Sequence, residues 1–445
     1  MTTQNQTIRK ILIAPDKFKG SLTSAQAAEA IRRGIQEAAS LHSGHVSEGI
    51  CAREQQEEQQ AAPGGLEFRI IEIADGGDGS LEVLQKKIPG SRVVEVPVHD
   101  PVGKRVESQV LLYDMHGSGE AGKAAVKKCA FIEMAKVSGL EMLSRGERNP
   151  LYTSTYGMGE AIRAAARQGA QEITLSIGGS ATNDGGSGML QALGYRFLDA
   201  AGEEIAAPIC GGDLVRVASI VAPMGEKMTV AEGDPCCCGM EQEPSECVGG
   251  LQEITFKVIC DVTNPLLGQQ GATAVYGPQK GADAQALQQL EAGLANYAAV
   301  AEKSLGVPQE SKEHPGAGAA GGVGYAGLAF LGAELIPGWR FFAQITSLEE
   351  GVQWADLVIT GEGSLDSQSL SGKVVSGVLN LAAQYNKGVK IFCGVSKLTP
   401  GEMEAVSRTL PEGAGCYSIA SLGYPLEVCM RDAARLLQQL ARENV

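Results

Sequence analysis

Long apolar runs are missing from this 445-residue chain: no stretch of about 18 such residues occurs, so the sequence predicts no membrane-spanning helix. Basic excess is missing too. The net charge is −15, which argues against a double-stranded nucleic acid partner, because such partners demand a basic face. The N-terminal "MTTQNQTIRK" lacks the apolar core of a signal peptide, and the expectation is a cytoplasmic protein. With no export signal, the 11 cysteines read as reduced thiols rather than a disulfide framework. Aromatics are scarce, at 5% of residues. There is no HExxH, and "SGKVV" lacks both the first glycine of a Walker A loop and the Ser/Thr after its lysine.

What is abundant is glycine, 58 residues in clusters, which predicts many tight turns and backbone-lined sites. Between the clusters the pattern alternates. "KILIAP" (Lys10–Pro15), "EFRIIEIA" (Glu67–Ala74), "EITLSI" (Glu172–Ile177), "ITFKVIC" (Ile254–Cys260), "ADLVIT" (Ala355–Thr360) and "VKIFCGV" (Val389–Val395) read as buried strands. Helical spacing marks Ser24–Ala39, Gly157–Gln168, Asp283–Leu305 and Gly372–Asn386, and "GYAGLAFLGAEL" reads as one more helix. This βαβ grammar predicts an α/β fold with parallel strands. From about Val93 to Ala135 the helices drop out, which predicts a second domain with an antiparallel or mixed sheet. Two polar, aperiodic segments, Leu41–Gly65 and Pro223–Gly250, read as surface insertions. The second holds Cys236, Cys237, Cys238 and Cys247, but no CxxC pair or nearby histidine completes a zinc site.

Acids and glycines recur where strands end. In "SIGGSATNDGGSGMLQALG", Gly178 and Gly179 allow close approach of an anion, Ser180 and Thr182 add hydroxyls, and Asn183 and Asp184 sit where turn meets helix. Alone, the stretch reads equally well as an Asn-Asp helix cap. "IADGGDGS" places Asp75 and Asp78 among Gly76 and Gly77, suited to a hard cation, to a polyhydroxylated substrate, or simply to an Asx turn. "APDKFKGSLTS" sets Lys17 and Lys19 at the ligand edge of an open parallel sheet, although solvated loop lysines are the commoner case. "CDVTNPLLGQQGATAVYGPQKGA" carries Asp261, Asn264 and Lys280, and "ITGEGSLDSQSLSGK" carries Glu362, Asp366, Ser369 and Lys373. "HPGAGAAGGVG" contains GxGxxG at Gly316, Gly318 and Gly321, followed by Gly322. No strand precedes it, so a phosphate-lining turn is the better reading than a dinucleotide fingerprint.

Taken together, "IAPDKFKGSL", "ADGGDG", "IGGSATNDGGSGMLQALG", "CDVTNPLLGQQGATAVYGPQKGA", "GAGAAGG" and "DLVITGEGSLDSQSLSGK" resemble the bacterial glycerate kinase family that lacks Walker A. The motifs run in unchanged order from Ile11 to about Val395. Both polar insertions are longer than that family usually carries, and Ser396 and Lys397 stand where it has a Gly-Ser-like turn. The resemblance implies two α/β domains with a cleft between them. One is a discontinuous flavodoxin-like parallel-sheet domain, residues 1–70 with 285–445. The other is an inserted restriction-endonuclease-like mixed-sheet domain, residues 71–284. It further implies ATP-dependent phosphorylation of D-glycerate with Mg²⁺, leaning toward the 2-hydroxyl. Phosphoryl transfer needs positioning and charge neutralisation. Lys17 and Lys19 are therefore candidates for substrate carboxylate or phosphoryl oxygens, and the Gly178–Thr182 and Gly316–Gly322 turns for N–H donation. Asp184 is the first candidate for the base, with Asp261 second. Asp261, Glu362 and Asp366 are candidate metal ligands, and Asp75, Gly76, Gly77, Asp78, Asn183, Asn264, Lys280, Ser369 and Lys373 complete the candidate binding set. A non-catalytic sugar-acid sensor on the same fold and an NAD-dependent dehydrogenase are the rival readings. Oligomeric state stays open, a homo-oligomer included.

Overall fold

The computed structural model describes residues 8–42, 65–73, 76–77, 79–117, 125–223, 251–367, 369–370, 373–409 and 415–445. Asp75, Asp78, the Cys236–Cys247 run and most of the Leu41–Gly65 insertion lie outside them. The strands, in chain order, are β1 (Lys10–Ile13), β2 (Glu67–Ile70), β3 (Arg92–His99), β4 (Arg105–Gly117), β5 (Ala125–Glu133), β6 (Glu172–Ser176), β7 (Arg196–Leu198), β8 (Ser219–Val221), β9 (Thr255–Ile259), β10 (Glu334–Ile336), β11 (Leu357–Leu365), β12 (Gly388–Ser396) and β13 (Gly415–Ser418). The chain divides into two compact units, Met1–Asp75 with Pro337–Val445, and Gly76–Ile336.

In the first unit five parallel strands form a sheet in the order β13-β12-β11-β1-β2. Numbered within the unit, that order is 2-1-3-4-5, the flavodoxin-like winding. Side chains alternate across the sheet, as the two-residue repeat requires. Ile11 and Ile13 face helices Ser24–His42 and Ala433–Asn444 in a core with Ile31, Ile35, Leu436 and Leu437. Leu12 points the other way, toward helix Leu348–Trp354, where Gly351 leaves the room for it.

In the second unit the sheet is mixed, ordered β10-β9-β6-β5-β4-β3. The strand-only segment explains why. The turn Asp100–Lys104 is short, held by Asp100 Oδ1 accepting from the Val102 and Lys104 amides, so β3 and β4 must run antiparallel. β4 and β5 are antiparallel as well. From β5 the chain crosses to β6 through helix Tyr156–Arg167, and β5, β6, β9 and β10 are parallel.

The second boundary falls between Ile336 and Pro337, not after Ala284 as the sequence reading drew it. Helix Ala284–Leu305 buries Leu290, Leu294 and Tyr297 in the core of the second unit, so it belongs there. The predicted helix "GYAGLAFLGAEL" is also corrected. It ends at Leu331 on a left-handed Gly332, and Glu334–Ile336 is β10.

Candidate functional site

In the first unit the sheet order reverses between β1 and β11, and open α/β sheets bind ligands beyond the carboxyl ends of such strands. β1 stops at Ile13, but the chain stays alongside β11: Asp16 donates its amide to the Gly361 carbonyl (2.8 Å), and Thr360 Oγ1 donates to the Ala14 carbonyl (2.9 Å). Gly361 is required here, since a Cβ would lie 1.7 Å from the Phe392 carbonyl oxygen. Phe18 is buried and anchors the loop, leaving Lys17 half-buried and Lys19 exposed. Glu362 and Asp366 are half-buried on the extension of β11, and Lys373 on the turn before helix Val374–Gln384. Ser369 is fully buried, its Oγ accepts from the Asp366 amide (3.0 Å), and its own amide donates back to the Asp366 carbonyl (3.0 Å).

In the second unit the parallel strands β5, β6 and β9 end side by side, so the loops following β6 and β9 emerge together. Gly76 and Gly77 lie against them. Ser176 Oγ donates to the Gly76 carbonyl, and a Cβ on Gly178 would sit 3.1 Å from the Gly77 Cα. Gly178 is half-buried and Gly179 exposed. The amides of Gly178, Gly179 and Ser180 donate to no acceptor among the described residues. Ser180 itself is buried, so the solvent-facing part of the turn is Gly178 and Gly179, and successive amides without an acceptor suit anionic oxygens. Asp261, half-buried, is the acid just past β9, the strand paired with β6.

Below this turn lies a sealed polar cluster that holds four of the candidate residues. Asp184 is 0% exposed. Its Oδ2 accepts from the Thr155 amide (2.8 Å), Thr155 Oγ1 (2.7 Å) and the Gly188 amide (3.2 Å), and its Oδ1 from the Gly186 amide (3.2 Å). Burial pushes its carboxyl up, with the bonds from Thr155, Gly188 and Gly186 pulling it down. A base must touch the substrate hydroxyl, whereas Asp184 is enclosed and its oxygens accept from four donors that shape the turn. Lys280, at 2% exposure, donates Nζ to the Thr182 carbonyl (2.6 Å). Burial pushes its ammonium down to about 7, with Asp184 opposing. Asn183 and Thr182 are also fully enclosed, Asn183 Nδ2 donating to Thr273 Oγ1 (3.0 Å). Lys280, Asn183 and Thr182 are thus enclosed beside the turn, with Thr182 Oγ1 and Asn183 Oδ1 lacking a hydrogen-bond partner among the described residues.

The Gly316–Gly322 turn is enclosed as well. All four of its candidate glycines are buried. The amides of Gly316 (3.2 Å) and Gly318 (2.9 Å) donate to the Asn264 carbonyl, and that of Gly322 to Ala319 (3.1 Å). Gly321, at φ +69°, has no room for a side chain, since a Cβ would lie 2.2 Å from the Thr182 carbonyl oxygen. Asn264 is spent likewise: its Nδ2 donates to the Gln270 carbonyl and its Oδ1 accepts from Tyr276 Oη, both at 2.7 Å.

Sequence reading missed Thr155 and Ser176. Their partners are 29 and 100 residues away, so no local spacing could reveal them.

The class defined so far is an α/β protein with a parallel sheet in one unit and a mixed sheet in the other. Comparison with known proteins narrows this. A family model described as "Glycerate kinase family" matches residues 11–232 and 240–445, and the chain belongs to that family. It is 38% identical over 432 residues to a glycerate kinase of Halalkalibacterium halodurans, covering 97% of this chain and 96% of that one. It is 39% identical over 380 residues to a glycerate 2-kinase of Escherichia coli, covering 85% and 84% respectively. The crystal structure of a protein assigned as glycerate kinase 2 from Salmonella typhimurium superposes with a TM-score of 0.67 at 35% identity, covering 98% and 97% of the two chains. The protein is accordingly a kinase, a phosphotransferase with an alcohol group as acceptor. Among the described residues, no helix is long and apolar enough to cross a membrane.

Proposed function

We propose that this kinase transfers the γ-phosphoryl group of ATP to the 2-hydroxyl of D-glycerate, giving 2-phosphoglycerate, with Mg²⁺ as the accompanying ion. The observation that carries the reading is the open amide turn Gly178–Ser180 beside Asp261, at the ends of paired strands in a chain of this family. The 2-position is favoured by the similarity to the E. coli protein named glycerate 2-kinase.

The residues fit the absent groups. Mg²⁺ takes one or two carboxylates, phosphate oxygens and retained waters in place of an all-protein cage. Among the described residues no group of three or more His, Cys, Asp or Glu forms such a cage. The acids at strand ends are the donor type that remains, and Glu362 and Asp366 are assigned to the ion. When bound, the ion neutralises charge on the phosphate oxygens.

The chain's own residues then have separable tasks. The amides of Gly178, Gly179 and Ser180 hold anionic oxygens in place without reorganising. Lys17 and Lys19 meet a carboxylate or phosphoryl oxygens. Asp261 accepts the proton from the glycerate hydroxyl, because among the described residues it is the acid at this edge that is half-buried and not fully enclosed. Lys373 contributes positive charge at the strand ends of the first unit.

A coupled assay with ATP and D-glycerate tests the activity, and phosphorus NMR of the product tests the position. The expected result is magnesium-dependent ADP formation with a phosphorus signal coupled to the C2 proton. A signal coupled to the C3 protons overturns the regiochemistry. Binding of glycerate without ADP formation would favour the sensor.

A further inference from the structure

Glu133, the last residue of β5, is 1% exposed and has no role in the scheme above. Its Oε1 accepts from the Gly79 amide (2.9 Å) and its Oε2 from the Leu81 amide (3.0 Å). Both amides belong to the start of helix Ser80–Lys87. Helices are ordinarily capped by the side chain of their own N-cap residue. Here the N-cap is Gly79, left-handed at φ 88°, with no side chain to offer. The cap comes instead from a neighbouring strand, more than fifty residues along the chain. A local cap stabilises a helix wherever it lies, whereas a cap from the sheet also ties the turn to the sheet.

The tie has a second strand. Glu133 is in parallel register with Ser176 of β6, and Ser176 Oγ donates to the Gly76 carbonyl. Two adjacent strand ends thus grip the same turn at Gly76 and at Gly79–Leu81. The turn is packed closely, since a Cβ on Gly76 would lie 2.2 Å from Ile259 Cγ2, and Gly77 abuts Gly178. Burial pushes the Glu133 carboxyl up to about 7, with the Leu81 and Gly79 bonds and Lys136 opposing and Glu82 adding to the rise.

We infer that Glu133 is a positioning residue, which through the Gly79 and Leu81 amides fixes the Gly76–Gly77 turn against Gly178 and so sets the shape of the open amide turn. It touches no substrate. The inference rests on the reading that these strand ends carry the chemistry, and small misplacements of positioning groups cost rate.

The test uses Glu133→Gln, which keeps the size but presents an NH₂ to one of the two amides. Hydrogen exchange at Gly79 and Leu81, the melting temperature, and kcat and KM for D-glycerate and ATP are measured on the full chain. The expected result is faster exchange at both amides, a melting temperature lowered by the few degrees that loss of a cap implies, and a roughly tenfold or greater loss of kcat/KM per folded protein, with the folded fraction at the assay temperature nearly unchanged. Unchanged exchange overturns the inference, as does activity lost only in step with folded protein. Faster exchange with unchanged kinetics overturns it too, and Gly76→Ala then locates the failure, because it displaces the turn without touching Glu133. If Gly76→Ala lowers turnover, the turn serves the site and the role of Glu133 alone is wrong. If neither variant changes the kinetics, the turn is not part of the site.

Discussion

The turns at Gly178–Gly179 and at Gly316–Gly322 look alike in sequence and do opposite work. The first is open: Gly179 is exposed, and three successive amides have no acceptor among the described residues. The second is closed, its glycines buried and its amides largely committed to Asn264 and Ala319. The lesson is that glycine serves two needs, close approach of a ligand and close approach of the protein's own backbone. Gly321, pressed on the Thr182 carbonyl, belongs to the second kind. The closed turn and the sealed cluster of Asp184 and Lys280 hold the open turn in place.

The sharpest way to break this comparison is at Asp184. Asp184→Asn should lower stability by about 3 kcal/mol, because a buried charge with four donors and a nearby Lys280 is removed. Urea unfolding measures it. Wild-type stability with turnover abolished would move the chemistry into the sealed cluster. The glycines come next. Gly321→Ala combines a left-handed φ with a 2.2 Å clash and should cost about 2–3 kcal/mol. Gly179→Ala, at φ +73° and with its nearest contact 3.3 Å away, should cost about 1 kcal/mol, and its mark should be a raised KM. Equal stability losses would erase the distinction between the turns.

A further effect is in pH dependence. Lys280 has a folded pKa of about 7, below the ordinary 10.5. Between those values the unfolded chain binds the extra proton, so this group makes stability rise with pH across that window. Below about 7 both states are protonated and the burial penalty is complete. Wild type should therefore gain stability over Lys280→Met on going from pH 7 to pH 9, seen as a widening difference in melting temperature. A constant difference would show that the lysine stays charged in the fold.

Much of the fold was legible because periodicity is local. The strands at Lys10, Glu172, Thr255 and Gly388 and the helices at Ser24, Tyr156, Ala284 and Val374 lie within a few residues of where the apolar spacing put them. β10 was hidden because the apolar run "LAFLGAELI" continues through the helix end, and only the left-handed Gly332 divides it. Helix Ala433–Asn444 was not read from the sequence, although Leu436, Leu437 and Leu440 are its buried face. The site was legible by motif but not by depth. Spacing cannot show that Asp184 is roofed by Thr155, that Lys280 ends on Thr182, or that Asn264 consumes the glycine amides, since each partner is distant in the chain. Accessibility is a tertiary property, and it separated Asp261 from Asp184.

The most direct measurement is steady-state turnover of ATP and D-glycerate by Asp261→Asn, with the melting temperature recorded alongside. Loss of a base at the open strand end predicts a kcat lower by about 100-fold or more with the melting temperature little changed. Full activity in that variant would contradict the placement of the chemistry beside Gly178 and Gly179.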